Sequence, residues 1–156
     1  MLGPEHPDTL IVRRQLASRT GESGNPPAAR DQYAQLLPVL NRVLGPGHPE
    51  TLMGRANLAD WTGRAGAPGT ARNLLAALLP IRIGVLGTEH PDSLANRRQL
   101  ARWTGEAGDP AAARDQFAEL LPVLKRVLGP DHPDTLTVGG DLAHWTERAN
   151  GGPDTA

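Results

Sequence analysis

The stretch LGPEHPDTL at residues 2–10 combines a histidine, two carboxylates and a hydroxyl, which suggests a reactive site at first sight. It returns as LGPGHPETL at 44–52, as LGTEHPDSL at 86–94 and as LGPDHPDTL at 128–136, with a spacing of 42 residues each time. Recurrence at a fixed period of this length is the sequence signature of a repeat architecture. We therefore interpret the stretch, called the joint segment below, as a connection between structural units.

The units between joint segments are duplicated sequence. Residues 2–43 and 86–127 are identical at 30 of 42 positions, whereas the second unit has diverged further and the fourth is incomplete. We predict one repeat domain over residues 1–150 and a disordered tail at 151–156. The predicted units are 2–43, 44–85, 86–127 and 128–150.

Each complete unit contains two segments with helical periodicity. In the first, DTLIVRRQLASRT at 8–20, the apolar side chains recur on one helical face. In the second, PPAARDQYAQLLPVLNRVL at 26–44, Asn25 is placed as an N-cap and Pro26 at the first helical position. Gly45 ends this segment, since glycine tolerates a left-handed cap. The pattern predicts two helices per unit and seven in all. A proline recurs inside each second helix and predicts a repeated kink at Pro38, Pro80 and Pro122.

Composition limits the classes of partner. The net charge of −1 provides no general attraction for nucleic acid or for an anionic membrane. The chain lacks cysteine, which excludes disulfides and thiolate metal sites, and no apolar run approaches the roughly 18 residues of a membrane span. There is no basic-then-apolar signal segment at the N-terminus. We expect a soluble, cytoplasmic protein with neither nucleic acid nor membrane as partner.

The histidines of the joint segments raise the possibility of a metal site. They lie one whole repeat apart, which is about two helix layers of ~10 Å each, so no two of them share an ion. The sequence also has no nucleophile elbow and no glycine-rich phosphate loop. We therefore expect no metal, no cofactor and no enzymatic activity. The four histidines are His6, His48, His90 and His132.

The repeat length alone also admits HEAT-type helical repeats or a propeller blade, but a blade needs four short strands that segments such as AAARDQFAELL do not provide. The Leu16-Ala17 pair in the first helix and the small Ala29 in the second resemble the tetratricopeptide repeat, above all the 42-residue variety of kinesin light chains and bacterial arrays. The resemblance implies an all-α, right-handed superhelical solenoid of antiparallel helix pairs with about 3.5 repeats. It implies a non-catalytic scaffold for protein interactions.

The unit departs from the family pattern at one aromatic position. The family has a large aromatic residue four places after the leucine of Leu-Ala, where this chain has threonine, as at Thr20. A tryptophan lies one residue earlier at Trp61, Trp103 and Trp145, with Arg19 in the first unit. We expect the tryptophans to pack between neighbouring repeats; the alternative is a partly exposed apolar floor for a ligand.

The resemblance places the ligand groove on the first helices, around the leucine of Leu-Ala. Arg98 and Arg102 are four residues apart and therefore project together, which suits capture of carboxylates. The alternative is that such arginines pair with Asp60, Glu106 or Asp141 from neighbouring repeats. Ala56 and Gly140 also fall at groove positions and contribute no polar group. The candidate groove residues are Arg14, Gln15, Ser18, Asn57, Asp60, Arg98, Gln99, Arg102 and His144.

Two functions remain open from the sequence. The first is a scaffold whose concave groove binds an extended, acidic peptide segment of a protein partner. The second is a structural fragment of a longer array, such as the sensor arm of a bacterial signalling protein. A fragment of this kind has no ligand of its own and forms homo-oligomers through its uncapped terminal helices.

Overall fold

Helices account for all regular secondary structure in residues 2–151, the residues that the computed structural model of this chain describes. The seven predicted helices are confirmed in this range. Of the predicted tail, Gly151 lies in a turn and residues 152–156 lie outside the described residues. The helices are α1 (Pro7–Glu22), α2 (Pro26–Leu44), α3 (Pro49–Arg64), α4 (Pro68–Leu86), α5 (Pro91–Glu106), α6 (Pro110–Val127) and α7 (Pro133–Ala149).

Each helix packs chiefly against its neighbours in sequence, as expected for stacked helix pairs. The first helices of successive units also approach each other, at α1/α3, α3/α5 and α5/α7. The core is divided into separate apolar clusters, each shared by adjacent helices. The predicted all-α solenoid is confirmed. Its first helices form one side of the stack, which is the side of the predicted groove.

The histidine of each joint segment caps the helix that follows it. In all four copies the imidazole Nδ1 accepts a hydrogen bond from the backbone N–H two residues later, at 3.1 to 3.2 Å. The histidine backbone is extended, for example at φ −67° and ψ 140° in His48, as an N-cap requires. The proline after it occupies the first helical turn, where no intrahelical donor is needed. The joint histidines thus have a structural role.

The breaks between helices also follow the prediction. Asn25 caps α2 by accepting from the N–H of Ala28 at 3.2 Å, and Asp109 caps α6 in the same way. Gly45, which directly follows α2, has φ 95°, a conformation that side-chain-bearing residues rarely adopt. Pro38, Pro80 and Pro122 lie inside α2, α4 and α6, while the kink itself stays a prediction.

The tryptophans are buried between repeats. Trp61, Trp103 and Trp145 are only 8%, 4% and 3% exposed. The ring of Trp61 lies on Gly21 of the preceding unit, where an added Cβ would come within 2.5 Å of it. The expected packing between repeats is therefore confirmed, and the alternative of a ligand floor is wrong. The same contact recurs at Gly63 with Trp103 and at Gly105 with Trp145.

The α4/α5 contact differs from its sister contacts by being polar. Arg82 is 5% exposed and occupies the place of the buried Leu40 and Leu124 of the flanking units. Its guanidinium donates to the backbone carbonyls of Asp92 at 3.0 Å and Leu52 at 3.5 Å. Burial lowers the pKa of Arg82. Among the described residues, Arg82 Nε and Asn96 Oδ1 of α5 have no hydrogen-bond partner. We therefore expect this contact to stabilise the stack less than the leucine contacts of the flanking units.

The second helix of the second unit is the most apolar of the seven. No uninterrupted apolar run approaches a membrane span, because Arg72 and Arg82 lie within α4. By length and mean composition alone, however, α4 is the one helix in residues 2–151 that is long and apolar enough to cross a membrane. It packs between α3 and α5 in the same way as α2 and α6 pack between their neighbours. The helix α4 is therefore the second helix of its unit in the solenoid, equivalent to α2 and α6.

Candidate peptide-binding groove

An open groove of about 460 Å³ runs along the first helix of the third unit. This volume is in the range of small-ligand sites and suits a few side chains of a peptide. The lining residues of α5 recur at helical spacing and therefore form one stripe along that helix. They are Pro91, Leu94, Ala95, Arg98, Gln99 and Arg102.

The groove has additional space at Ala95, where the repeat sequence changes to a small side chain. Ala95 stands where the other units have Ile11, Met53 and Thr137. Its methyl group leaves open the space that these larger side chains would occupy. The floor beside it is apolar and includes the buried Leu94 together with Leu124 from the end of α6. The site therefore has room for an apolar side chain of a ligand.

Two arginines on the rim already have carboxylate partners. Arg98 Nε lies 3.2 Å from Asp141 Oδ2 of the next unit, and Arg64 Nε lies 2.7 Å from Asp60 Oδ2 one helical turn earlier. Asp60 also accepts from the indole N–H of Trp103 at 3.3 Å. The pairing of Arg98 with Asp141 is the alternative that the sequence had left open. These pairs are partly exposed and are worth at most about 1 kcal/mol each, so a ligand carboxylate can compete for them.

Arg102 differs from the other two arginines of the groove. Its guanidinium lies over the ring of Trp103, 4.6 Å from the centroid. Among the described residues, no carboxylate forms a salt bridge with it, and its side chain is exposed. A guanidinium over an aromatic ring can still direct its N–H donors to a planar acceptor. Arg102 is therefore the strongest candidate for a carboxylate contact.

Apart from Asp60, the candidate residues of the first two units lie outside this groove. Arg14 pairs with Glu50 at 2.7 Å, and both side chains are less than one-fifth exposed. Ser18 shares a hydrogen bond with the hydroxyl of Tyr33, which itself donates to the backbone carbonyl of Arg14 at 3.0 Å. Asn57 of α3 lies near the same hydroxyl and acts to lower its pKa. Burial raises the pKa of Tyr33. Arg14 thus joins the first two units, and Ser18 is bound within the first unit, so both have less capacity to contact a ligand.

The remaining candidates divide between the groove and the solvent. Gln99 lines the groove, whereas Gln15 is exposed on α1 and away from it. His144 is exposed on α7 and meets the ring of Trp145 edge-on at 4.9 Å. The structure thus brings together Asp60, Arg98, Gln99 and Arg102 of the nine candidates.

Sequence reasoning missed several groove residues. Arg64 follows Asp60 by one turn, so their spacing could have indicated an ion pair at the rim. The small side chain of Ala95 was visible in the comparison of repeats, but its consequence depends on the neighbouring helices. His132 and Asp134 of the last joint segment also line the groove. Within residues 2–151, no three His, Asp or Glu side chains are grouped in a way that could hold a metal ion.

Known families account for the arrangement of helices. The sequence model of the tetratricopeptide repeat matches residues 9–50, 51–92 and 97–134, which is well over half of the chain. The chain belongs to the tetratricopeptide repeat family. The matched units begin within the first helices, whereas the units defined above begin at the joint segments. Both describe the same repeat with different boundaries. No curated protein sequence matches this chain.

Solved structures support the same assignment. The chain is similar to the nearly identical TPR-like repeats of a putative kinesin light chain of Podosopora anserina, with 26% identity and a TM-score of 0.82. That alignment covers 97% of this chain and 70% of the other, and a variant of the same protein gives 25% identity with the same score and coverage. BtubC (BKLC) from P. vanneervenii shares the fold alone, at 14% identity, a TM-score of 0.81 and coverage of 96% and 59%.

Proposed function

We propose that this tetratricopeptide repeat protein is a non-catalytic interaction scaffold that binds an extended, acidic peptide segment in the groove along α5. The family membership supports the general role as an interaction scaffold. The observation that carries the finer proposal is Arg102, an exposed guanidinium that has no carboxylate partner within residues 2–151 and lies beside an apolar hollow at Ala95. A peptide with an acidic side chain near an apolar one fits both features.

The groove residues divide the work of recognition. A peptide carboxylate accepts two parallel hydrogen bonds from Arg102, the geometry that a guanidinium favours. The side-chain amide of Gln99 can donate to and accept from the peptide backbone. An apolar side chain of the peptide enters the space above Ala95 and packs against the apolar floor at Leu94 and Leu124. Arg98 contributes less, because it must first leave Asp141.

The proposal is tested by peptide-display selection against the 156-residue chain. Acidic peptides should be enriched on the parent and lost on Arg102→Glu and on the double variant Arg98→Glu/Arg102→Glu. Ala95→Met fills the hollow with the residue of the second unit and should remove the preference for an apolar side chain. Lys125→Glu is the matched control, since it makes the same charge change at an exposed site of α6 outside the groove. Equal enrichment on all four variants would exclude this groove.

We also propose a second function, self-association of the chain through its terminal helices. The observation in its favour is apolar surface left open at both ends of the stack. Val12 and Leu16 of α1 are 61% and 59% exposed, and Leu136 of α7 is 61% exposed. Their equivalents within the stack are buried or packed against a neighbouring helix. A longer array, such as the sensor arm of a larger signalling protein, would use the same faces.

A further inference from the structure

The contact between tryptophan and glycine is complete at every internal boundary and is replaced at both ends. In each pair the tryptophan of one unit lies on the glycine of the unit before it. The first unit has Arg19 in place of the tryptophan, and the last has Glu147 in place of the glycine. Both residues are exposed and belong to no salt bridge among the described residues. The two ends therefore carry opposite charges at positions that face each other in the repeat.

The two terminal faces also have complementary shapes. The open face of α1 has bulky side chains, Val12 and Leu16, next to Arg19. The open face of α7 has Leu136, Gly140, Ala143 and Glu147, which recur at spacings of four, three and four residues and so share one side of the helix.

The α7 face is flat at its centre. A Cβ added at Gly140 would meet no atom within 4 Å, so no contact inside the chain requires glycine there. Glycine within a helix costs about 1 kcal/mol relative to alanine. A flat centre beside Leu136 allows the bulky residues of another helix to approach closely. Val12 and Leu16 on the open face of α1 are bulky residues of this kind.

We infer that copies of this chain associate head to tail, with the α1 face of one copy on the α7 face of the next and Arg19 opposite Glu147. The inference rests on the second function proposed above and is independent of peptide binding. The two helices run parallel, because only that direction brings both charged positions to the same end of the contact. The interface joins two different faces, so it does not close as a two-fold dimer and leaves each pair of copies with one free face of each kind for further copies.

The test blocks one end at a time and follows the mass of the full chain by sedimentation velocity over a range of concentrations. Val12→Asp/Leu16→Asp blocks the α1 face, and Leu136→Asp blocks the α7 face. All three residues are exposed, so circular dichroism should show unchanged helicity. The parent should form a growing series of oligomers. Each blocked variant alone should stay monomeric, and an equimolar mixture should form a one-to-one dimer and nothing larger.

Other outcomes overturn the inference in distinguishable ways. A parent that stays monomeric at every concentration overturns self-association as a whole. A parent that associates, together with Leu136→Asp alone forming dimers, shows that α1 faces meet each other. Dimers of Val12→Asp/Leu16→Asp alone show the same for α7 faces. In either case self-association stands, and the head-to-tail pairing does not.

The charged pair has a test of its own. Arg19→Glu and Glu147→Arg should each weaken association about tenfold, since each brings like charges together across the interface. The double variant Arg19→Glu/Glu147→Arg restores opposite charges and should associate like the parent. The pairing is wrong if Glu147→Arg has no effect or if the double variant associates less than either single variant.

Discussion

Replacing Arg82 by leucine should stabilise the protein. Arg82 is 5% exposed at a place where the flanking units have leucine, and its Nε has no hydrogen-bond partner among the described residues. A buried polar group without a partner costs about 1 to 3 kcal/mol, and burying a leucine side chain contributes about 1.5 to 3 kcal/mol. The two hydrogen bonds to backbone carbonyls that Arg82 loses offset part of this gain.

The net change should be an increase of about 1 to 2 kcal/mol in the free energy of unfolding, in line with other exchanges of buried charges for apolar residues. For a chain of this length it corresponds to a rise in Tm of roughly 2 to 8 °C. Urea unfolding followed by circular dichroism measures it. The m-value should stay constant, because a change in m would report a change in the exposed surface and not in stability alone.

Two further variants make this prediction specific. Arg72→Leu, on the same helix and largely away from the core, should change the stability by less than about 0.5 kcal/mol. Arg82→Leu/Asn96→Val restores the pair found in the last boundary, Leu124 with Val138, and should stabilise more than the single change. Destabilisation by more than 1 kcal/mol in both Arg82 variants would refute the reasoning, since it would show that the buried polar groups are satisfied.

Three other changes test the repeat contacts. Gly63→Ala should lower the stability by about 1 to 3 kcal/mol, because the added Cβ would lie 2.6 Å from the tryptophan ring of the next unit; thermal unfolding measures it. His48→Ala should cost about 0.5 to 2 kcal/mol in the same assay by removing the acceptor at the start of α3. The Arg126 guanidinium lowers the pKa of Glu89 below its ordinary 4.5, and NMR titration should show this shift lost in Arg126→Ala.

Each of these three predictions can be contradicted by a control variant or by the direction of a pH dependence. Gly84→Ala, in open space within α4, should raise the stability by about 0.5 to 1 kcal/mol, so equal losses at Gly63 and Gly84 would contradict the packing argument. His48→Asn keeps a capping acceptor and should retain most of the stability. The lowered pKa of Glu89 means that its contribution is present above pH 4.5 and is lost as the pH falls through the folded pKa. A contribution that grows on acidification would be inconsistent with the pair.

The order of helices could be predicted from the sequence because the 42-residue period repeats the same local signals. Asn25 as an N-cap and Gly45 as a stop act through their own backbone and one helical turn, so their effects do not depend on the rest of the fold. The capping bond of His48 is equally local, but histidine is not among the usual N-cap residues. The sequence therefore predicted its structural role and not the hydrogen bond.

The groove was less predictable because it depends on contacts between units. The sequence places Arg98 on the groove-facing stripe of α5 but does not show which carboxylate lies beside it. Only the packing of α5 against α7 brings Asp141 within 3.2 Å of Arg98. Asp60 was predicted as a ligand contact and lines the groove, but its partners Trp103 and Arg64 could not be read from the repeat spacing. Side chains that bridge repeats cannot be assigned from the spacing within one repeat.

The most direct test of the peptide groove is chemical-shift mapping of the ¹⁵N-labelled chain with an acidic peptide from the selection. The largest amide shifts should follow the stripe of α5 from Ala95 to Arg102, together with Arg64 on α3. The same titration with Arg102→Glu should produce no such pattern. Shifts confined to the outer faces of α1 and α7, or spread over the second helices, would contradict a groove on the first-helix side.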